Sequence, residues 1–144
     1  MMVEKIVVVF DSFSVRAEAV KHAIELAKRT NASIFFLVIL DTNSRDFHSD
    51  PESFAREIKK RTQEAIVQHM NAARQSGIDA ETEVRVGDPS SEFIKFLANF
   101  KKIKSVIWGG SADIANKAQH RNHWLTKMKD LLKCPIIVPT SKAQ

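Results

Sequence analysis

Strand-like and helix-like segments alternate along the whole of this chain, and that alternation limits its fold more than any other feature. Ile6-Val7-Val8-Val9-Phe10 is an unbroken β-branched and aromatic run, the pattern of a strand buried on both faces. Ala19, Val20, Ala23, Ile24 and Ala27 then recur at helical spacing and predict a helix to about Thr30. Its N-cap candidates lie in Asp11-Ser12-Phe13-Ser14. After a turn at Asn31-Ala32, Ile34 to Leu40 is a second continuous apolar run. Polar residues from Asp41 to Asp50 make a loop, and Pro51 suits a first helical turn with Asp50 before it as a cap. The helix that follows runs to about Ser76 on an inner stripe of Phe54, Ile58, Ala65, Met70 and Ala73. Gly77 stands where such a helix stops.

Glu81 to Val86 alternates polar and apolar residues, so this strand should expose one face. Gly87-Asp88-Pro89 turns the chain, and Ser90 or Ser91 is expected to cap a helix carrying Phe93, Ile94, Phe96, Leu97 and Phe100. Ser105 to Trp108 reads as a short buried strand ending at Gly109-Gly110. Beyond a polar segment, Trp124, Met128, Leu131 and Leu132 predict a last helix, stopped by Cys134-Pro135. Ile136-Ile137-Val138 makes a fifth strand. Right-handed crossovers and burial of both sheet faces turn this order into one architecture. The expected fold is α/β, a single-domain open parallel five-stranded sheet flanked by helices, Rossmann-like, over residues 1–144. Ligands of such sheets sit beyond the carboxyl ends of the strands, where strand order reverses. That points to Asp11–Ser14, Leu40–Asp41, Gly87–Ser91 and Gly109–His123.

Composition narrows the function classes. The chain has 144 residues, 44% hydrophobic and 27% charged, which suits one soluble domain with one core. No apolar run approaches the ~20 residues that cross a bilayer. The five apolar residues from Ile6 to Phe10 are too few for a secretory leader, so a cytoplasmic chain without membrane insertion is expected. The net charge of +5 is spread: bases mix with acids from Glu57 to Glu64, and Lys101-Lys102-Ile103-Lys104 has no interleaved aromatics to stack bases. No nucleic-acid partner is expected. The single Cys134 excludes an internal disulfide framework and a cysteine-rich metal site. His120 and His123 lack further ligands at metal spacing, and the Asp46, His48 and Asp50 cluster reads as a solvated loop. Ser12 and Ser14 have no evident base, so no catalytic constellation emerges.

Val8-Val9-Phe10-Asp11, Val86-Gly87-Asp88-Pro89, Gly109 and Cys134-Pro135-Ile136-Ile137-Val138 occur in the order that resembles the universal stress protein family, whose fold is of the adenine nucleotide alpha hydrolase type. In its nucleotide-binding members the loop after strand four reads Gly, two residues, Gly, nine residues, Gly, then Ser or Thr. The corresponding positions here hold Gly109, Ala112, Asn122 and His123. The spacing is kept, but only one of three glycines remains. A phosphate cradle needs backbone N–H groups that no side chain obstructs. Ala112 adds a methyl group, Asn122 an amide, His123 a ring, and Asp113 a negative charge. Lys117, His120, Arg121 and His123 offer positive or titratable groups from another side.

The resemblance makes Asp11 the adenosine-contacting carboxylate and Ile39 the residue flanking the adenine. Asp11 also reads as a helix N-cap, and Ile39 as ordinary core. The resemblance further implies a homodimer through the last strand, Ile136–Thr140, which would cover an apolar edge, although Pro139 cannot donate there. Two functional readings follow. One is a non-catalytic stress-response module acting through dimerisation and an unknown protein partner, with weak or absent ATP binding. The other is an ATP- or AMP-binding switch with at most slow hydrolysis.

Overall fold

A computed structural model of the chain describes residues 4–11, 16–41, 51–100, 102–110, 124–128, 132 and 134–138. Five strands, β1 (Lys5–Phe10), β2 (Ser33–Asp41), β3 (Ala80–Gly87), β4 (Ile103–Trp108) and β5 (Ile136–Ile137), form one parallel sheet in the order β3-β2-β1-β4-β5. Among the described residues the helices are α1 (Ala17–Thr30), α2 (Pro51–Gln75), α3 (Pro89–Leu97) and the single turn α4 (Trp124–Lys127). The expected α/β fold is the observed one.

Both faces of the sheet are covered, which explains why the central strands show no polar alternation. Ile6, Val8 and Phe10 join Ile34, Phe36 and Val38 under α1 and α2. Val7 and Val9 join Phe35, Leu37 and Ile39 under α3 and α4. Ile6 through Phe10 is completely buried. Ala19, Ala23 and Ala27 form the buried row of α1, and their small side chains let the helix backbone approach the strands. On the opposite face, Phe35, Phe96 and Phe100 make a three-ring cluster with centroids 4.6 to 5.4 Å apart.

Helix ends follow local chemistry. Asn31 ends α1 in the left-handed region at φ 57°, and the Ala32 N–H donates to the Ala27 carbonyl. Gly77 (φ 80°) does the same after α2: its N–H reaches Arg74 O at 2.9 Å, and the Ile78 N–H reaches Ala73 O at 3.0 Å. This is the Schellman arrangement, which satisfies the last carbonyls where the helix can no longer do so.

Several sequence expectations need correction. The cap of α3 is Asp88, not Ser90 or Ser91. Its carboxylate accepts the Ser91 N–H at 3.0 Å, and Pro89, which has no N–H to satisfy, fills the first turn. Phe100 lies past the end of α3, and Ile94 is exposed. The buried stripe of α2 is Thr62, Ile66 and Ala73, with Met70 partly covered; Ala65 is half-buried, and the side chains of Phe54 and Ile58 lie outside the description. Among the described residues the last helix is the single turn Trp124–Lys127, with Met128 and Leu132 outside it and Leu131 outside the described residues, and β5 is two residues, so Val138 falls outside the strand. Pro139 and Thr140 are outside the described residues. Arg16, not a residue of Asp11–Ser14, occupies the N-cap of α1.

Candidate functional site

β1 is the centre of the sheet. From it the chain moves through α1 and α2 to β2 and β3 on one side, then returns through α3 to β4 on the other. The reversal therefore falls between β1 and β4, and the crevice beyond their carboxyl ends is the ligand position this topology creates. Asp11 leaves β1 there as an exposed bend residue. Opposite it β4 ends at Trp108, and the Gly109 N–H extends the ladder by donating to Val9 O at 2.8 Å. Gly109 and Gly110 are buried.

Gly110 is required by space. A Cβ at that position would lie 2.5 and 2.9 Å from two ring atoms of Trp108 and 3.1 Å from Asp11 Oδ1. The indole is itself 1% exposed and meets Trp124 edge-on, with centroids 6.2 Å apart, while Trp124 meets Phe93 at 5.5 Å. The Trp108 ring thus forms a fixed wall under Gly110, and the Asp11 carboxylate stands beside the same glycine.

Arg16 closes the constellation from α1. Its side chain makes no cap bond to its own helix. Instead Nε donates to the Gly110 carbonyl, Nη2 donates to Trp108 O at 3.3 Å, and the Arg16 backbone N–H donates to Gly109 O at 2.8 Å. Three successive carbonyls at the end of β4 therefore converge on one residue. Asp11 Oδ1 and the Arg16 side chain thus both lie at Gly110, and both belong to the connection between β1 and α1.

The sequence singled out Asp11 and Gly109, and the structure brings these two together. Because Arg16 holds the N-cap, five residues further on, Asp11 is not the cap of α1. Ile39 is completely buried on the α3 side with Leu37 and Phe93, as a core residue is. Ala112, Asn122 and His123 lie outside the described residues. Arg16 and Trp108 fall outside the segments that the sequence points to, whereas Gly110 lies within Gly109–His123. Burial raises the pKa of the Cys134 thiol above its ordinary value, with a backbone hydrogen bond opposing, so the residue behaves as a small neutral side chain. Among the described residues no cluster of metal-ligating side chains occurs, and no helix is long and apolar enough to cross a membrane. A groove of about 440 Å³ lined by Glu52, Arg56, Lys59 and Val86 opens near the end of β3, two strands from β1.

The family model described as "Universal stress protein family" matches residues 2–108, which contain every strand and helix from β1 to β4. The chain belongs to the universal stress protein family. A universal stress protein of Methanocaldococcus jannaschii is 29% identical over 109 residues, covering 74% of this chain and 64% of that relative. This chain thus matches less than two thirds of the curated relative's length. The structure of the universal stress protein from Archaeoglobus fulgidus in complex with dAMP superposes with a TM-score of 0.63 at 20% identity, over 97% of this chain and 100% of that one. A universal stress protein family protein of Arabidopsis thaliana with AMP bound superposes with a TM-score of 0.52 at 17% identity, over 97% and 93%. At these identities the two structures establish the shared fold.

Proposed function

We propose that this universal stress protein is a non-catalytic cytoplasmic regulatory module whose cleft, between Asp11 and Gly109-Gly110, takes an adenine mononucleotide and takes ATP only weakly. The observation that carries this reading is an exposed carboxylate set against a buried two-glycine strand end at the strand reversal. A carboxylate so placed, where ligands of such sheets sit, accepts hydrogen bonds from ribose hydroxyls. The relatives crystallised with dAMP and AMP support a ligand with a single phosphate. Ala112 and Asn122, at two of the three glycine positions of the family's phosphate loop, weigh against a triphosphate. Ser12 and Ser14, without an evident base, support a role other than catalysis.

Calorimetry with AMP and ATP tests this. AMP is expected to bind, and ATP at least tenfold more weakly. Asp11→Ala should lower AMP affinity by about tenfold or more, the loss expected for a hydrogen bond to a charged group. Absence of heat at millimolar AMP, or tighter binding of ATP, would overturn the reading.

Signal output through protein contacts belongs to the same proposal. β5 is the last strand on its side of the sheet, and Ile136 and Ile137 are only half-buried. Pairing of two copies along Ile136–Thr140 would cover that edge. Light scattering at micromolar concentration is expected to return twice the 16.3 kDa chain mass. A particle of the single chain mass would remove the dimer from this account.

A further inference from the structure

We infer that a polar cavity at the amino ends of β2 and β3 binds a small zwitterion, a molecule carrying both an ammonium and a carboxylate, as a free α-amino acid does. Parallel pairing lays two helix-to-strand turns side by side there. Ile34 of β2 pairs with Ala80 of β3, and the Ile34 N–H donates to Asp79 O at 2.9 Å. The cavity between the turns measures about 270 Å³, near the lower end of the range for small-molecule sites. Ala27, Ala32 and Ile78 line it from the buried side. The backbone fixes its shape. Asn31 (φ 57°) and Gly77 (φ 80°) hold both turns in the left-handed region, and the Ala32 and Ile78 N–H groups close them onto Ala27 O and Ala73 O. Asp11 and Gly109 lie at the other end of the strands, so the inference does not rest on the mononucleotide reading.

The charges on its lining carry the argument. Lys28, in the last turn of α1, lines the cavity together with Asn31, Ser76 and Asp79. None of these four side chains takes part in a hydrogen bond or an ion pair, so Lys28 and Asp79 share one cavity without pairing. An ion of either sign would be attracted by one of them and repelled by the other. A zwitterion meets both at once, its carboxylate on Lys28 and its ammonium on Asp79. Both α1 and α2 end at these turns, and the negative ends of their dipoles favour the ammonium further. The Asn31 amide and the Ser76 hydroxyl add neutral donors and acceptors for another polar group of the ligand. Because the turns are already fixed, binding orders little more than the side chains. Lys28 and Asp79 are exposed, and water screens them, so the affinity is modest.

The test titrates the full chain with serine, with serinamide, which lacks the carboxylate charge, and with N-acetylserine, which lacks the ammonium. Amide chemical shifts of Asn31, Ala32, Gly77 and Ile78 report binding. Serine is expected to give saturable shifts with a Kd on the order of 1 mM, as suits two ion pairs within reach of water. Each single-charge analogue should bind about fivefold more weakly or worse. Lys28→Gln should make serine and serinamide equal while keeping the preference for serine over N-acetylserine. Asp79→Asn should do the reverse. Both side chains are exposed, so neither variant disturbs the core. No saturable shift with serine well above millimolar concentration would overturn the inference. So would equal shifts with all three compounds, the behaviour of a water-filled recess, or a variant that weakens all three alike.

Discussion

Trp108→Ala is expected to destabilise the fold by about 3–5 kcal/mol, the range for removing a fully buried large aromatic side chain. The indole is 1% exposed and joins the end of β4 to Trp124 and, through it, to Phe93 of α3. Its loss leaves a cavity that rigid neighbouring strands fill poorly. Against a typical total stability of roughly 5–15 kcal/mol, this is a large fraction. Urea denaturation followed by circular dichroism should show a strongly lowered midpoint with an unchanged slope. A midpoint shift worth less than about 1 kcal/mol would mean that the α3–α4 layer does not depend on this ring.

Gly110→Ala is expected to cost about 1–3 kcal/mol, the range for overpacking a filled interior. The new methyl group would meet Trp108 ring atoms at 2.5 and 2.9 Å, and the buried indole has little room to withdraw. Backbone strain is not the cause, because Gly110 is not among the positive-φ glycines. The steric origin has its own signature. With Trp108 already replaced by alanine, adding Gly110→Ala should cost markedly less, so the two changes should be non-additive by about 1 kcal/mol or more. Additive costs would show that the glycine is needed for some reason other than the ring. Because Asp11 Oδ1 lies 3.1 Å from the same methyl position, AMP affinity should fall in this variant as well.

Much of the fold can be read directly from residue patterns. Ile6–Phe10 and Ile34–Leu40 are unbroken apolar runs because β1 and β2 lie inside a sheet covered on both sides. Glu81–Val86 alternates because β3 is an edge strand, where Lys5–Glu81 and Arg85–Glu92 ion pairs at 3.4 Å lie beside it. Gly77 is legible as a helix stop because left-handed backbone has a narrow residue preference.

The misreadings have equally specific causes. Asp88, Ser90 and Ser91 are all good caps within four residues, and only the position of Pro89 in the first turn selects the aspartate. Thr62 is hidden as a member of the α2 stripe because a buried threonine does not look like a core residue. The place of Arg16 at the end of β4 is not legible in the sequence, because Trp108 and Gly110, to which it donates, are 92 and 94 residues away. An arginine at a helix start reads as surface until the sheet brings β4 beside β1. For Asp11, the presence of Arg16 at the N-cap of α1 removes the helix-cap reading.

The central claim is that an adenine mononucleotide sits between Asp11 and Gly109-Gly110, and amide chemical shifts during an AMP titration test it most directly. The account predicts progressive, saturable shifts of the Asp11, Gly109 and Gly110 amides, with Asn31 and Gly77 at the opposite end of the sheet unmoved. No shift at millimolar AMP, or shifts centred on Asn31 and Gly77, would contradict it.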